Sequence, residues 1–468
     1  MRALLINPPI IKDKFGRFSK LLQAMPCIGL AYIASILLKR GFEVEVMDYF
    51  GENLSYDDLI DRLYSYKPDL VGITTLTPSA PVVERMCTII RERAHDCKII
   101  LGGIHASLFY EDFLSKGLAD IIVHGEGEET IHEILDHLNG DKKLSDIKGI
   151  AFVENGKSVN TGNREPPKDL DAFPFPAWQL FPYREYGMLP FADIKKPTLS
   201  ISGSRGCPYR CTYCSLDYMG KFYRKRSPES IADEFEYLYK DFGVRQVGFI
   251  DPIFPFDEEH TTLVCEELIR RGLNKNLVWI SETRPDRLNQ RLLNLMYRSG
   301  ARRLLFGIES GTQKVLNRIN KRLDLELTKE VIKMAHKENI HIVGLFMIGL
   351  PDETEEEIEE TIRFSIESDV DFAKFAITVP FPGSQLYDEM VATGKLSRKD
   401  WENFTTFNPD PNSMAIATDT ISAERLLQLQ KRATRRFYLR FRMIFRHLFV
   451  IRTITPQNLI YGIYAMLK

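Results

Sequence analysis

Thr198-Leu199-Ser200-Ile201-Ser202-Gly203 runs through Ser204-Arg205 into Gly206-Cys207-Pro208-Tyr209-Arg210-Cys211-Thr212-Tyr213-Cys214. The apolar run reads as a strand, and the loop after it carries three cysteines spaced C-x3-C-x2-C. Thiolates this close cannot all bridge one another, and an odd set leaves one unpaired. They can converge on one iron–sulfur cluster, whose usual ligands are cysteine thiolates. A [4Fe–4S] cube wants a ligand on each iron, so Cys207, Cys211 and Cys214 leave one iron open. An open iron can bind and reduce a substrate, which makes this a reaction site rather than an electron relay. Structural zinc or three incidental thiols are the alternatives. Structural zinc normally takes four ligands in two separated pairs. No second C-x2-C pair exists here, and His260 is far along the chain. Incidental thiols rarely cluster this tightly in a chain with only seven cysteines.

From that strand onward, strands and helices alternate. Strands are expected at Leu199–Ser202, Gln246–Ile250, Val278–Ser281, Arg303–Phe306, Ile342–Met347 and Phe372–Val379. The first helix, over Ser227–Phe242, has Ser227 as its cap and Glu229 in its first turn. Six βα units predict a partial barrel of the TIM type. The cysteine loop then lies at the C-terminal rim, where barrel sites are built.

The chain before the loop alternates in the same way. Strands at Ala3–Ile6, Val44–Met47, Leu70–Thr74, Lys98–Leu101 and Asp120–Val123 flank helical patterns at Ile28–Lys39, Tyr56–Tyr66, Val82–Ala94, Glu111–Lys116 and Thr130–Leu138. That order predicts an α/β, doubly wound parallel sheet with its ligand at the carboxyl ends of the strands. A hairpin is expected around the Asn155-Gly156 turn. Phe173-Pro174-Phe175-Pro176 reads as a linker packed by aromatics and held extended before each proline. The expected division is 1–142, a hairpin and linker over 143–195, the barrel over 196–400, and a helical region over 401–468. In the last, Lys431–Arg446 has many cations, no acid and interleaved aromatics. It reads either as a solvated face packed on the barrel or as an amphipathic helix at a membrane surface.

Net charge is −2, so no nucleic-acid partner is expected. The other four cysteines are scattered singly, with no disulfide framework, which suits a reducing cytoplasm. No signal peptide core and no apolar run long enough to span a bilayer are expected.

At the cysteine loop, including the aromatic Tyr213 before the last cysteine, the chain resembles the radical S-adenosylmethionine (SAM) superfamily. The resemblance implies that the open iron binds the amino and carboxylate groups of SAM, and that reductive cleavage releases a 5′-deoxyadenosyl radical. It covers most of Thr198–Met390 and implies SAM contacts at strand ends. These are Asp251 to the amino group, Arg284 as a bidentate fork on the carboxylate, Glu309 and Ser310 to the ribose, and Gly349 in the stretch against the adenine. A flavodoxin- or ferredoxin-type electron donor is implied as well.

A dinucleotide site would want G-x-G-x-x-G after the first strand, but Asn7-Pro8-Pro9 stands there. Small residues cluster instead on one rim of the sheet: Gly72 and Thr74, then Gly102 and Gly103 with His105, then Glu126, Gly127 and Glu128. With Asn7 and Gly29, this looks like the cobalamin-binding domain that precedes many radical SAM barrels. Many such domains carry D-x-H-x-x-G, whose His ligates cobalt. The equivalent stretch, Asp48-Tyr49-Phe50-Gly51-Glu52-Asn53, has no His, and no metal role falls to His105. The whole therefore resembles a cobalamin-dependent radical SAM enzyme of the methylase and magnesium-protoporphyrin ester cyclase type. Methyl transfer to a carbon radical is the expected reaction, and radical cyclisation or rearrangement, or a non-catalytic cobalamin sensor, are the alternatives. The substrate, a small or lipid-like molecule, is expected between the two domains. The linker around Phe173–Trp178 and the C-terminal region should line part of its pocket.

Overall fold

The computed structural model describes residues 1–9, 27–187, 194–215, 220–396, 400–406 and 416–451. Two sheets organise them. The first holds β1 (Arg2–Asn7), β2 (Glu43–Asp48), β3 (Leu70–Thr74), β4 (Lys98–Gly102), β5 (Ile121–Val123), β6 (Ile150–Glu154) and β7 (Lys157–Asn160), in the order 2-1-3-4-5-6-7. Strands β1 to β5 are parallel, and the order reverses at β1, where such sheets open a crevice. The expected hairpin forms as β6 and β7. It pairs antiparallel onto β5, so it completes this sheet rather than belonging with the linker. The helices lie where the 3.6-residue periodicity places them. Ser55 and Asp58 close a capping box at the start of Tyr56–Tyr66.

The second sheet holds β8 (Thr198–Ile201), then, after the short antiparallel pair β9 (Ser204–Arg205) and β10 (Arg224–Lys225), β11 (Gln246–Phe249), β12 (Val278–Thr283), β13 (Ala301–Glu309), β14 (His341–Ile348) and β15 (Phe372–Ile377). Six parallel strands run in the order 15-14-13-12-11-8, an open partial barrel. Side chains alternate across a strand. Ile201, Phe249, Trp279, Phe306, Phe346 and Phe375 face the surrounding helices and are buried with them in one core. The residues between them, such as Ser202, Ile250 and Glu282, face the barrel interior and its mouth. Asp171 accepts from the Ser227 amide, and Ser227 caps the helix Pro228–Phe242.

The C-terminal region is helical over Ala423–Tyr438 and Phe441–Phe445. Its first helix packs on β15, where the Tyr438 hydroxyl bonds both the amide and the carbonyl of Ala373. Arg446 then reaches Asp371, His447 meets Phe372 edge to face, and Ile451 packs on Leu305, Val343 and Phe372. This segment closes the N-terminal end of the barrel. The site is thereby left to the other end.

Candidate active site

The cysteine loop leaves the barrel at the C-terminal end of β8 and is held by backbone bonds from several sides. The Thr212 amide donates to the Ile319 carbonyl, the Leu386 amide to the Thr212 carbonyl, and the Asn320 amide group to the Arg210 carbonyl. Gly206 has φ +80°, and a Cβ there would meet the Phe222 carbonyl oxygen at 2.2 Å, so only glycine fits the entry to the loop. Cys207, Cys211 and Cys214 are half-buried, and none is in a disulfide. Among the described residues, no three His, Cys, Asp or Glu side chains close around a single ion. A four-iron cube needs its thiolates further apart than one zinc ion does. Burial pushes the Cys211 thiol up, while the cations Lys321 and Arg284 draw it down. A loop of three thiols outside any disulfide, beside two buried cations, suits an anionic cluster.

Behind the loop, Tyr213 donates to Glu309 Oε1 at 2.9 Å, and Lys321 Nζ lies 2.8 Å from the same oxygen and 3.3 Å from the Tyr213 hydroxyl. Glu309 ends β13 at φ +67°, a conformation costly for a residue with a side chain. Sequence reasoning missed Lys321, which sits between Asn320 and Arg322 and carries no local mark of burial.

Three SAM expectations change in the structure. The Arg284 fork is closed on Asp286 at 2.9 and 3.1 Å and on the carbonyls of Lys321 and Arg322, with Tyr209 stacked on it at 3.9 Å. A bidentate grip on a ligand carboxylate would need that ion pair to open. Ser310 is buried against the helix Glu355–Glu367, bonded to Thr312 and Thr361, so its hydroxyl is spent inside the fold. Gly349 has φ +74° and meets Leu426 rather than open space: a Cβ there would come within 2.9 Å of that side chain. Asp251 does lie at the mouth. It accepts from the Gly203 amide at 2.9 Å and from the Ser204 hydroxyl, and burial raises its pKa to about 7.

A cavity of about 570 Å³ joins the two domains. The first sheet contributes Gly72, Thr74, Gly102, Gly103, Glu126, Gly127 and Glu128, and the barrel contributes Ser202, Asp251 and Glu282. Cβ atoms at Gly29 and Gly102 would meet nothing within 4 Å, while one at Gly72 would strike Leu5 at 2.8 Å. The cavity continues between sheet and helices past Leu37, Leu70 and Ile131. A flat rim with a deep apolar slot beside it fits a large ring carrying a long appendage. Glu282 was not singled out from sequence. Its carboxyl is open to the cavity, and the enclosing protein walls, together with the negative charge of Glu309, raise its pKa to about 7.

Around this rim, Asn7, His105 and the linker fall outside the cavity, while Glu126 and Glu128 line it. Asn7 bonds Asp48 at 2.9 Å and is not among the residues lining the cavity. His105 is buried beneath Phe109 and Trp401, and burial lowers its pKa to about 4. The carboxylates of Glu126 and Glu128 pair with Arg205, at 2.7 and 2.6 Å, which ties both residues to the strand ahead of the cysteine loop. The linker does not line the cavity either: Trp178 is fully buried, and Phe173 stacks on Arg205 at 5.5 Å. Asp48 is also buried. It accepts from Tyr186, Asn7 and the amides of Phe50 and Gly51, and Phe50 occupies the third place of the D-x-H-x-x-G pattern, so this stretch offers no imidazole. Among the described residues lining the cavity, none is histidine.

An open partial barrel with three cysteines after its first strand, facing a glycine-rimmed parallel sheet across one cavity, defines a class. The family model of the radical SAM superfamily matches residues 201–365, and that of the B12 binding domain matches residues 18–135. Cytidylyl-2-hydroxyethylphosphonate methyltransferase of Streptomyces wedmorensis is 30% identical over 420 residues, 78% of each chain. The chain belongs to the radical SAM superfamily, in the class that carries a B12-binding domain ahead of the barrel, and its cofactors are a [4Fe–4S] cluster, SAM and cobalamin. An uncharacterized methyltransferase of Pyrococcus horikoshii is 29% identical over 456 residues, 96% of this chain and 95% of that one. The radical SAM methyltransferase TsrM of Kitasatospora setae, solved with cobalamin and a [4Fe–4S] cluster, shares the fold at a TM-score of 0.69 and 19% identity. The match covers 85% of this chain and 79% of that one.

Proposed function

We propose that this chain is a cobalamin-dependent radical SAM C-methyltransferase. The observation that carries the reading is the single cavity: the glycine rim of the first sheet and the C-terminal strand ends of the barrel open onto the same space. When bound, the cluster and SAM supply a 5′-deoxyadenosyl radical, and cobalamin carries a methyl group to the substrate. Cys207, Cys211 and Cys214 hold the cluster. Tyr213, Glu309 and Lys321 form a rigid polar wall behind it, and Asp251 presents a carboxyl at the mouth. Gly72, Gly102, Gly103 and Gly127 let the ring lie against backbone. The closed barrel floor and the apolar slot keep water out, which a reactive radical requires.

The substrate is a small or lipid-like molecule entering between the domains, and the reducing electron comes from a flavodoxin- or ferredoxin-type donor in a reducing cytoplasm. For the basic C-terminal stretch, ion pairs support the packed face over the membrane surface. Arg425 meets Glu355, Arg432 and Arg436 meet Glu359, and Arg442 and Arg446 meet Asp369. Phe441 and Phe445 are the exposed apolar side chains there. Among the described residues, no helix is long and apolar enough to cross a membrane.

The test is anaerobic turnover of reconstituted protein with SAM, cobalamin, reductant and candidate substrates. Appearance of 5′-deoxyadenosine and S-adenosylhomocysteine together supports methylation. Deoxyadenosine alone, with a converted but unmethylated substrate, points to cyclisation or rearrangement instead.

A further inference from the structure

Arg205 stands two residues before Cys207 and ties the cysteine loop to the cobalamin domain. Its Nη1 donates to Glu126 Oε2 at 2.7 Å and its Nη2 to Glu128 Oε1 at 2.6 Å. Glu126 lies in the loop after β5, whose Gly125 and Gly127 line the cavity, and Glu128 opens the helix that follows, Glu128–Leu138. Tyr32 of the first domain lies over the guanidinium at 5.3 Å, and Phe173 of the linker at 5.5 Å. Arg224, on the strand paired with Arg205, makes a second tie to Glu126 and donates to the Pro167 carbonyl at 2.8 Å. The side chains of Arg205, Glu126 and Glu128 are each no more than 8% exposed. A planar fork bonded at both ends and stacked by aromatics has one geometry rather than several. One short chain of contacts therefore runs from the glycine rim to the first cluster cysteine.

We propose that Arg205, Glu126 and Glu128 are positioning residues: they set the separation between the cobalamin rim and the cluster loop, and so divide SAM between its two uses. The second half of this claim rests on the methyltransferase reading; the first half does not. In one use, the SAM methyl group passes to reduced cobalamin, whose electron pair forms the new bond, and S-adenosylhomocysteine leaves. In the other, one electron from an external low-potential reductant, passed through the cluster, breaks the sulfonium–C5′ bond. That releases methionine and a deoxyadenosyl radical, which becomes 5′-deoxyadenosine by taking a hydrogen atom from a substrate C–H bond or, with no substrate present, from a C–H bond of the buffer or citrate. The second use needs only the barrel. The first needs the rim in register with it, and a misplacement of about 1 Å can cost roughly a hundredfold.

The test compares the wild type with the Glu126→Gln/Glu128→Gln double variant, leaving Arg205 itself untouched. Glu128→Asp serves as a milder second variant in case the first folds poorly. With titanium(III) citrate as reductant and no added substrate, the ratio of S-adenosylhomocysteine to deoxyadenosine should fall at least about tenfold in the double variant. Iron content should stay unchanged, and Glu128→Asp should recover part of the ratio. Two further readouts do not depend on turnover. Hydrogen exchange should rise together in residues 125–131 and 203–206 of the cofactor-free protein. The pulsed EPR distance between cob(II)alamin and the reduced cluster should lengthen or broaden. An unchanged distance distribution and exchange pattern, or both products falling in equal proportion, overturns the proposal. If even the wild type makes no S-adenosylhomocysteine, the methyltransferase reading fails, and the distance and exchange results still decide whether the tie positions the domains.

Discussion

Replacing Lys321 by Met tests whether the polar wall behind the cysteine loop is one electrostatic unit. Lys321 Nζ is buried, 2.8 Å from Glu309 and 3.3 Å from the Tyr213 hydroxyl. Removing one partner of a buried ion pair leaves the other charge without compensation, at a cost of roughly 3–5 kcal/mol. The surroundings worsen the loss here, because Glu282 faces the same interior and already feels the negative charge of Glu309. Glu309→Gln should cost a similar amount, since it strands the ammonium. The Lys321→Met/Glu309→Gln double variant carries neither charge. It should therefore be destabilised by less than the sum, with a coupling of about 1–3 kcal/mol. The assay is urea unfolding of the cluster-free protein, followed by hydrogen exchange across Ala301–Glu309. Single variants that each cost under about 1 kcal/mol, or a double variant equal to their sum, would refute the reasoning.

Other expectations follow from the same contacts. Burial raises Asp251 to a pKa of about 7, so the folded protein holds a proton that the unfolded chain releases. That contribution is complete below about pH 4 and is lost as pH rises toward 7, so Asp251→Asn should flatten the stability slope over that window by up to about 1.4 kcal/mol per pH unit. An unchanged slope in urea melts at pH 5, 6 and 7 would contradict it. Gly206→Ala should cut iron incorporation sharply, because the new Cβ meets the Phe222 carbonyl at 2.2 Å and φ is +80°; wild-type iron content in the variant would count against the packed loop. Leu426→Ala should destabilise the barrel by about 2–5 kcal/mol by opening a hole over Gly349, and a loss below 1 kcal/mol in thermal melts would show that the C-terminal helix is not part of the barrel core.

Much of the fold was legible because period and punctuation agreed. Ile28–Lys39 and Tyr56–Tyr66 form as expected to the residue, and all six barrel strands fall on their apolar runs. These strands are covered on one face by helices, so their buried residues are obvious. The hairpin was legible as a hairpin, but its place at the edge of the first sheet was not, because pairing between distant strands leaves no local mark. Strand ends told where the site is. They did not tell which side chains are free. Arg284, Ser310, Glu126 and Glu128 have the right chemistry, but in the folded chain their polar atoms are taken by Asp286, Thr361 and Arg205. Thr361 and Arg205 come from tens of residues away, and Asp286, two residues from Arg284, closes on the fork only in the turn that the folded loop makes. Lys321 and Glu282 escaped notice for the converse reason: each looks like an ordinary surface charge until the barrel closes around it.

The central claim is that three cysteines hold a cube whose open iron takes SAM. EPR of the anaerobically reconstituted, one-electron-reduced protein, recorded with and without SAM, tests it most directly. The account predicts about four irons per chain and a cluster spectrum that shifts when SAM is added. Protein that holds zinc in place of iron, or a cluster signal indifferent to SAM, would contradict it.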